Sequence, residues 1–145
     1  MSSTLTFDLL KEYLATPLNC PSEQIQINQL PGGYSNLSFL VESPAQKLIL
    51  RRPPFGEKIA KAHDMGSEFA ILQGLKKAGY TKSPTPIRFC EAESIFGAPF
   101  FLMEFVEGAI IRNKVPQGML LGQQEFEKLS RSAVDCLVEL HQLEL

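Results

Sequence analysis

The stretch Leu30–Val41, LPGGYSNLSFLV, sets two consecutive glycines, a serine and an asparagine between short apolar runs. Gly32 and Gly33 suit the tight turn of a plain β-hairpin. They equally suit a turn that approaches a ligand closely, because glycine tolerates positive φ and consecutive free N–H groups form a nest for anions. Either way the flanks read as strands: IQINQL from Ile25 before the turn and LSFLV after it. SPAQ then leads into KLILRR, which Pro53 and Pro54 stop. Three strands in a meander follow.

Outward from this meander the texture changes. Upstream, Phe7, Leu10, Tyr13 and Leu14 recur at helical spacing after Thr6, a suitable N-cap, and the prolines of TPLNCPS close this leading helix. Downstream, Asp64 suits the cap of a helix running to about Ala78, docking through Met65, Phe69 and Leu72, with Gly79 as its stop. IRFCEAE and PFFLMEFV, joined by SIFGA, add two strands, the second so apolar that it belongs in the centre of the sheet. A last amphipathic helix starts near Gln123, with Phe126, Leu129, Ala133, Leu137 and Leu140 along one side. The expected class is α+β, a five-stranded, mostly antiparallel sheet with a leading helix, a helix between strands 3 and 4, and a C-terminal helix.

With 145 residues, 44% of them hydrophobic and 21% charged, the chain has the composition of a globular domain. A formal charge of −2 argues against a dedicated nucleic-acid binder. Cys20, Cys90 and Cys136 lack CxxC spacing, and with only His63 and His141 beside them they suggest reduced thiols and no structural zinc. Both histidines read as structural. The first residues lack a basic n-region and no apolar run reaches membrane-span length, so the expectation is a cytoplasmic protein without a membrane partner.

Five strings, taken in order, resemble the N-terminal lobe of the aminoglycoside phosphotransferase and choline kinase-like family, most closely its acyl-CoA dehydrogenase-associated branch. They are GGYSN (Gly32–Asn36), LRRPP (Leu50–Pro54), AHDMGSEF (Ala62–Phe69), GAPFFLMEFVEG (Gly97–Gly108) and LVELHQL (Leu137–Leu143). The resemblance implies a protein kinase-like fold whose glycine turn is a hairpin and a phosphate lid at once. It places Gly32, Gly33, Ser35 and Asn36 over the nucleotide phosphates, with Ser35 and Asn36 at the tip.

Arg51 and Arg52 end a strand, where alternation sends one side chain to each face and leaves open which one lies under the glycine turn. The family's strand pattern selects Arg51. By the same resemblance Glu68 orients that basic residue, Met103 backs the adenine pocket, and the Glu104 carbonyl and Val106 N–H meet the adenine edge. The implied cofactor is ATP or GTP with Mg2+, and the implied partners are the nucleotide and a small-molecule hydroxyl acceptor.

Phosphoryl transfer needs an acidic residue to orient the acceptor and further Asp or Asn ligands for magnesium. The aspartates here are Asp8, Asp64 and Asp135, each assigned to a helix or its cap, and no H-x-D-x4-N arrangement occurs. We therefore expect residues 1–108 to form a nucleotide-binding N-lobe and 109–145 a hinge exit and the start of a helical C-lobe. No catalytic or metal-binding residue is assigned in the chain, which alone is expected to be inactive and prone to self-association. A regulatory, pseudokinase-like module is the alternative.

Overall fold

The structure, a computed structural model, describes residues 3–32, 35–55 and 65–144, residues 3–6 as backbone only. Helix α1 (Ser3–Leu18) leads into a short 3-10 turn at Ser22–Gln24 and then the meander β1 (Gln26–Gln29), β2 (Leu37–Glu42) and β3 (Lys47–Arg52). Helix α2 (Met65–Lys77) follows, then β4 (Pro86–Cys90), the one-turn helix α3 (Glu93–Phe96), β5 (Phe100–Glu104) and the long α4 (Gln123–His141). The strands form one sheet in the order β1-β2-β3-β5-β4, every pairing antiparallel. The fold is the expected α+β class, and the strand rich in phenylalanine, β5, sits inside the sheet as its composition indicates.

Period-2 alternation divides the sheet into two faces. Phe39 and Val41 from β2, Leu48 and Leu50 from β3, and Phe100 and Leu102 from β5 are buried on one of them. Helix α1 covers this face through Leu10, Leu14 and Leu18, which recur every four residues. Phe96 of α3 completes the layer, packing edge-to-face on Phe7, Phe39, Phe55 and Phe100. The opposite face carries α2 over β4 and β5, with the Phe69 ring stacked on Phe89 at 5.7 Å between centroids.

Two local expectations are corrected. Helix α1 starts at Ser3, so Thr6 lies inside it and is not its cap. Pro17 does not end that helix: it stands in the last turn, where one missing backbone hydrogen bond is outweighed by the burial of Leu14 and Leu18 on either side. The helix ends instead at Asn19, whose φ of 49° is left-handed, with Cys20 N–H donating back to the Ala15 carbonyl at 3.2 Å in a Schellman-type closure. The joining segment SIFGA, to which the sequence assigns no element, is mostly α3.

Helix α2 closes near the expected residue, with Gly79 at φ 81° and the Tyr80 N–H returned to the Leu75 carbonyl. The expected Asp64 cap and His63 lie outside the described residues. Within the docking stripe, Met65 is buried and Phe69 and Leu72 are half-buried, whereas Ile71 is exposed. No helix among the described residues is long and apolar enough to cross a membrane.

The packing makes Phe96 the centre of the aromatic layer. Phe96→Ala is expected to lower the unfolding free energy by about 3–5 kcal/mol. Ile71→Ser, at an exposed site, is expected to stay within about 0.5 kcal/mol of the parent. Urea unfolding followed by circular dichroism checks both.

Candidate functional site

The two arginines that end β3 separate. Arg52 turns into the covered face and is 1% exposed. Its Nε donates to the Pro53 carbonyl at 2.8 Å and its Nη1 to the Phe96 carbonyl, while the guanidinium lies 3.6 Å from the Phe55 ring centroid and 4.9 Å from that of Phe96. Burial pushes its pKa down to about 10, so it stays charged at neutral pH. Arg52 is thus part of the covered layer and not a solvated strand end.

Arg51 turns to the open face. Its Nε stands 3.0 Å from Oε2 of Glu68 on α2, off the line of the N–H, so the contact is an ion pair and not a directed hydrogen bond. The other carboxylate oxygen of Glu68, Oε1, accepts from Nδ2 of Asn36 at 2.8 Å. One carboxylate on α2 thereby joins the residue just before β2 to the end of β3. Both members of the ion pair keep about a third of their side-chain surface in solvent, 34% and 36%. Pairs so exposed contribute only about 0.2–1 kcal/mol, so the consequence of this one is orientation more than stability.

Asn36 is 5% exposed, and its Oδ1 has no hydrogen-bond partner among the described residues. It stands immediately before β2, with its amide bonded to Glu68. Ser35 is exposed and Gly33 lies outside the described residues. Gly32 is held at φ 91°, a conformation that favours glycine.

Strand register fixes what surrounds Arg51. Ser38, Arg51, Phe101 and Phe89 are successive cross-strand partners along one row of the sheet, and Leu40, Ile49, Met103 and Pro86 along the next. Between these rows and α2 opens a cleft of about 280 Å³ lined by Arg51, Glu68, Leu72, Phe101 and Met103 among others. An apolar floor with a cation–carboxylate pair at one end suits a ligand with a flat apolar part and an anionic part.

The hinge residues divide. Met103 lines the cleft. The Glu104 side chain turns elsewhere: it lines a separate polar recess of about 320 Å³ with Lys76, Tyr80 and Thr85. There Oε2 accepts from the Thr85 N–H at 3.0 Å, and the Glu104 N–H donates to the Thr85 carbonyl. The bond from Thr85 holds the Glu104 carboxylate below its ordinary range. Val106, past the strand, is exposed, and its N–H has no backbone partner among the described residues. Among these residues no group of three His, Cys, Asp or Glu side chains could hold a metal ion.

A family profile described as the phosphotransferase enzyme family (APH) matches residues 26–145, from the start of β1 through α4. The chain belongs to this family. It is 32% identical over 121 residues to human acyl-CoA dehydrogenase family member 11, covering 83% of the chain and 15% of that protein. To mouse acyl-CoA dehydrogenase family member 10 it is 32% identical over 136 residues, 94% of the chain and 12% of the relative. A crystal structure from Ralstonia eutropha JMP134, assigned as an aminoglycoside phosphotransferase, superposes with a TM-score of 0.53 at 21% identity. That match covers 77% of the chain and 31% of the neighbour, and it shows the fold to be the kinase-like N-lobe type.

The structure places Arg51, Glu68 and Met103, the residues the resemblance picks out, along one cleft, and adds a bond from Asn36 to Glu68 that the sequence does not indicate. No periodicity reveals it, because residues 36 and 68 lie on elements that only the sheet brings together. Asn36→Asp would oppose two carboxylates across 2.8 Å. The variant is expected to lose about 2 kcal/mol of stability at pH 7. The deficit should shrink as pH falls, because one carboxyl then takes up a proton in the folded state more readily than in the unfolded chain. Thermal melts from pH 7 to pH 4 check the sign.

Proposed function

We propose that the chain is the nucleotide-binding lobe of a small-molecule phosphotransferase that uses ATP or GTP with Mg2+ and a hydroxyl acceptor. The observation that carries this reading is the Arg51–Glu68 pair at the end of an apolar cleft, tied through Asn36 to the base of a glycine turn. Family membership supplies the reaction class.

The bound nucleotide would supply the transferable phosphoryl group. The adenine or guanine ring suits the floor of Ile49, Met103 and Phe101, with the exposed Val106 N–H available to the ring edge. The site residues also include the Glu104 carbonyl, which lies on the same hinge strand. Arg51 meets phosphate oxygens through a planar fork that Glu68 holds in orientation. Gly32 and Ser35 flank the turn that would lie above them, and Asn36 Oδ1 is a buried acceptor without a partner among the described residues. Binding energy at such a site is spent on holding the phosphate chain in line for attack.

The acceptor-orienting acid and the magnesium ligands belong, in this reading, to a helical lobe beyond residues 109–145. Two observations support it. The chain spans 15% of the human relative's length. On α4, Phe126, Leu129, Val134, Leu137 and Val138 are all exposed, an apolar face of the kind that further chain covers. The same face would make the isolated chain self-associate.

Isothermal titration of Mg-ATP and Mg-GTP into the chain, beside the full gene product, tests the reading. At least one nucleotide is expected to bind, and Arg51→Ala is expected to weaken it about tenfold through loss of a charge-assisted contact. Absence of binding by either nucleotide in both proteins would contradict the reading and favour an interaction module without turnover.

A further inference from the structure

Arg112 belongs to the irregular segment between β5 and α4, yet its guanidinium lies against the glycine turn at the far edge of the sheet. A Cβ built on Gly32 would stand 3.0 Å from Nη2 and 3.1 Å from Nη1 of Arg112. A Cβ at position 32 would displace this exposed guanidinium by only a few tenths of an ångström, so the distances show contact and not a steric requirement. What calls for glycine at residue 32 is its backbone, with φ at 91°.

Among the described residues no electrostatic partner accounts for this approach. Arg112 is exposed, and among the described residues no carboxylate pairs with it; the ion pairs there are Lys47–Glu42, Arg51–Glu68 and Lys82–Glu139. A guanidinium carries five N–H donors, and among the described residues no carbonyl accepts from those of Arg112 as the Pro53 and Phe96 carbonyls do from Arg52. A free arginine gains most by extending into water. This one is instead folded back across the sheet end to the turn that, in the reading above, lies over the phosphates.

We infer that Arg112 is the hinge-side arm of an anion clamp, closing on the phosphate oxygens of the bound nucleotide beneath the Gly32 turn. Arg51 reaches the same phosphates from β3, held by Glu68, while Arg112 arrives from the β1 edge. Among the described residues no hydrogen bond or ion pair joins the segment that carries Arg112 to the glycine turn. Ligand phosphate would therefore draw the β5–α4 segment and the glycine turn towards one another. The inference rests on the nucleotide reading and adds to it a residue and the part of the ligand it grips.

The test compares adenosine, ADP and ATP as competitors of a fluorescent ATP analogue bound to the parent chain, Arg112→Ala and Arg112→Lys, with thermal melts alongside. Arg112→Ala is expected to weaken ATP about tenfold, the size of one charge-assisted contact, and to leave adenosine affinity and the melting temperature unchanged. Arg112→Lys, which keeps the charge without the planar fork, should fall between. Raised salt should narrow the gap between parent and Arg112→Ala. If Arg112→Ala binds ATP as the parent does, or loses adenosine and ATP equally, the clamp is wrong and nucleotide binding stands. If the parent binds none of the three, the nucleotide reading fails and the clamp falls with it.

Discussion

At the end of β3 two like-charged residues sit side by side, and strand geometry forces them onto opposite faces of the sheet. Arg52 is locked beneath the sheet by two carbonyls and two aromatic rings, so Arg51 can only present itself to the open face. A slip of one residue in register would bury Arg51 and expose Arg52, reversing Leu48, Ile49 and Leu50 at the same time. The aromatic layer around Phe96 opposes that slip. It therefore fixes the position of a cation on the far side of the sheet that it never touches.

The open face is built on weaker forces. Helix α2 is held by Phe69 against Phe89 and Phe101 and by the buried Met65. Its Glu68 then meets Arg51 and Asn36 at once. An ion pair one-third exposed adds little to stability, and a buried Asn36 Oδ1 without a partner detracts from it. In the proposed reading a ligand completes both the pair and the orphaned acceptor. On the covered face the buried Arg52 finds its two carbonyl partners within the fold, and the apolar side chains there are close to full burial.

Much of this was legible in the residues. The meander, α2, β5 as an inner strand and the start of α4 follow from period, composition and breakers, because each is a local property of the chain. The pairing of Arg51 with Glu68 came from resemblance, since alternation alone left Arg51 and Arg52 equivalent until Phe96 was seen to claim one of them. The end of α1 was misread because Pro17 counts as a breaker by itself, while the burial of Leu14 and Leu18 that overrides it is tertiary. The turn of α3 was hidden in a segment too short for periodicity. The approach of Arg112 to Gly32 had no sequence signal at all, arising between an irregular segment and a turn distant in the chain.

The central claim is that Arg51 is a ligand-facing cation while Arg52 is a fixed part of the core. The most direct measurement follows the side-chain Nε–Hε resonances of both arginines by nuclear magnetic resonance as Mg-ATP is added to isotope-labelled protein. The account predicts that the Arg51 signal moves with saturation and the Arg52 signal stays in place. An Arg51 resonance that holds still while nucleotide binds would contradict it.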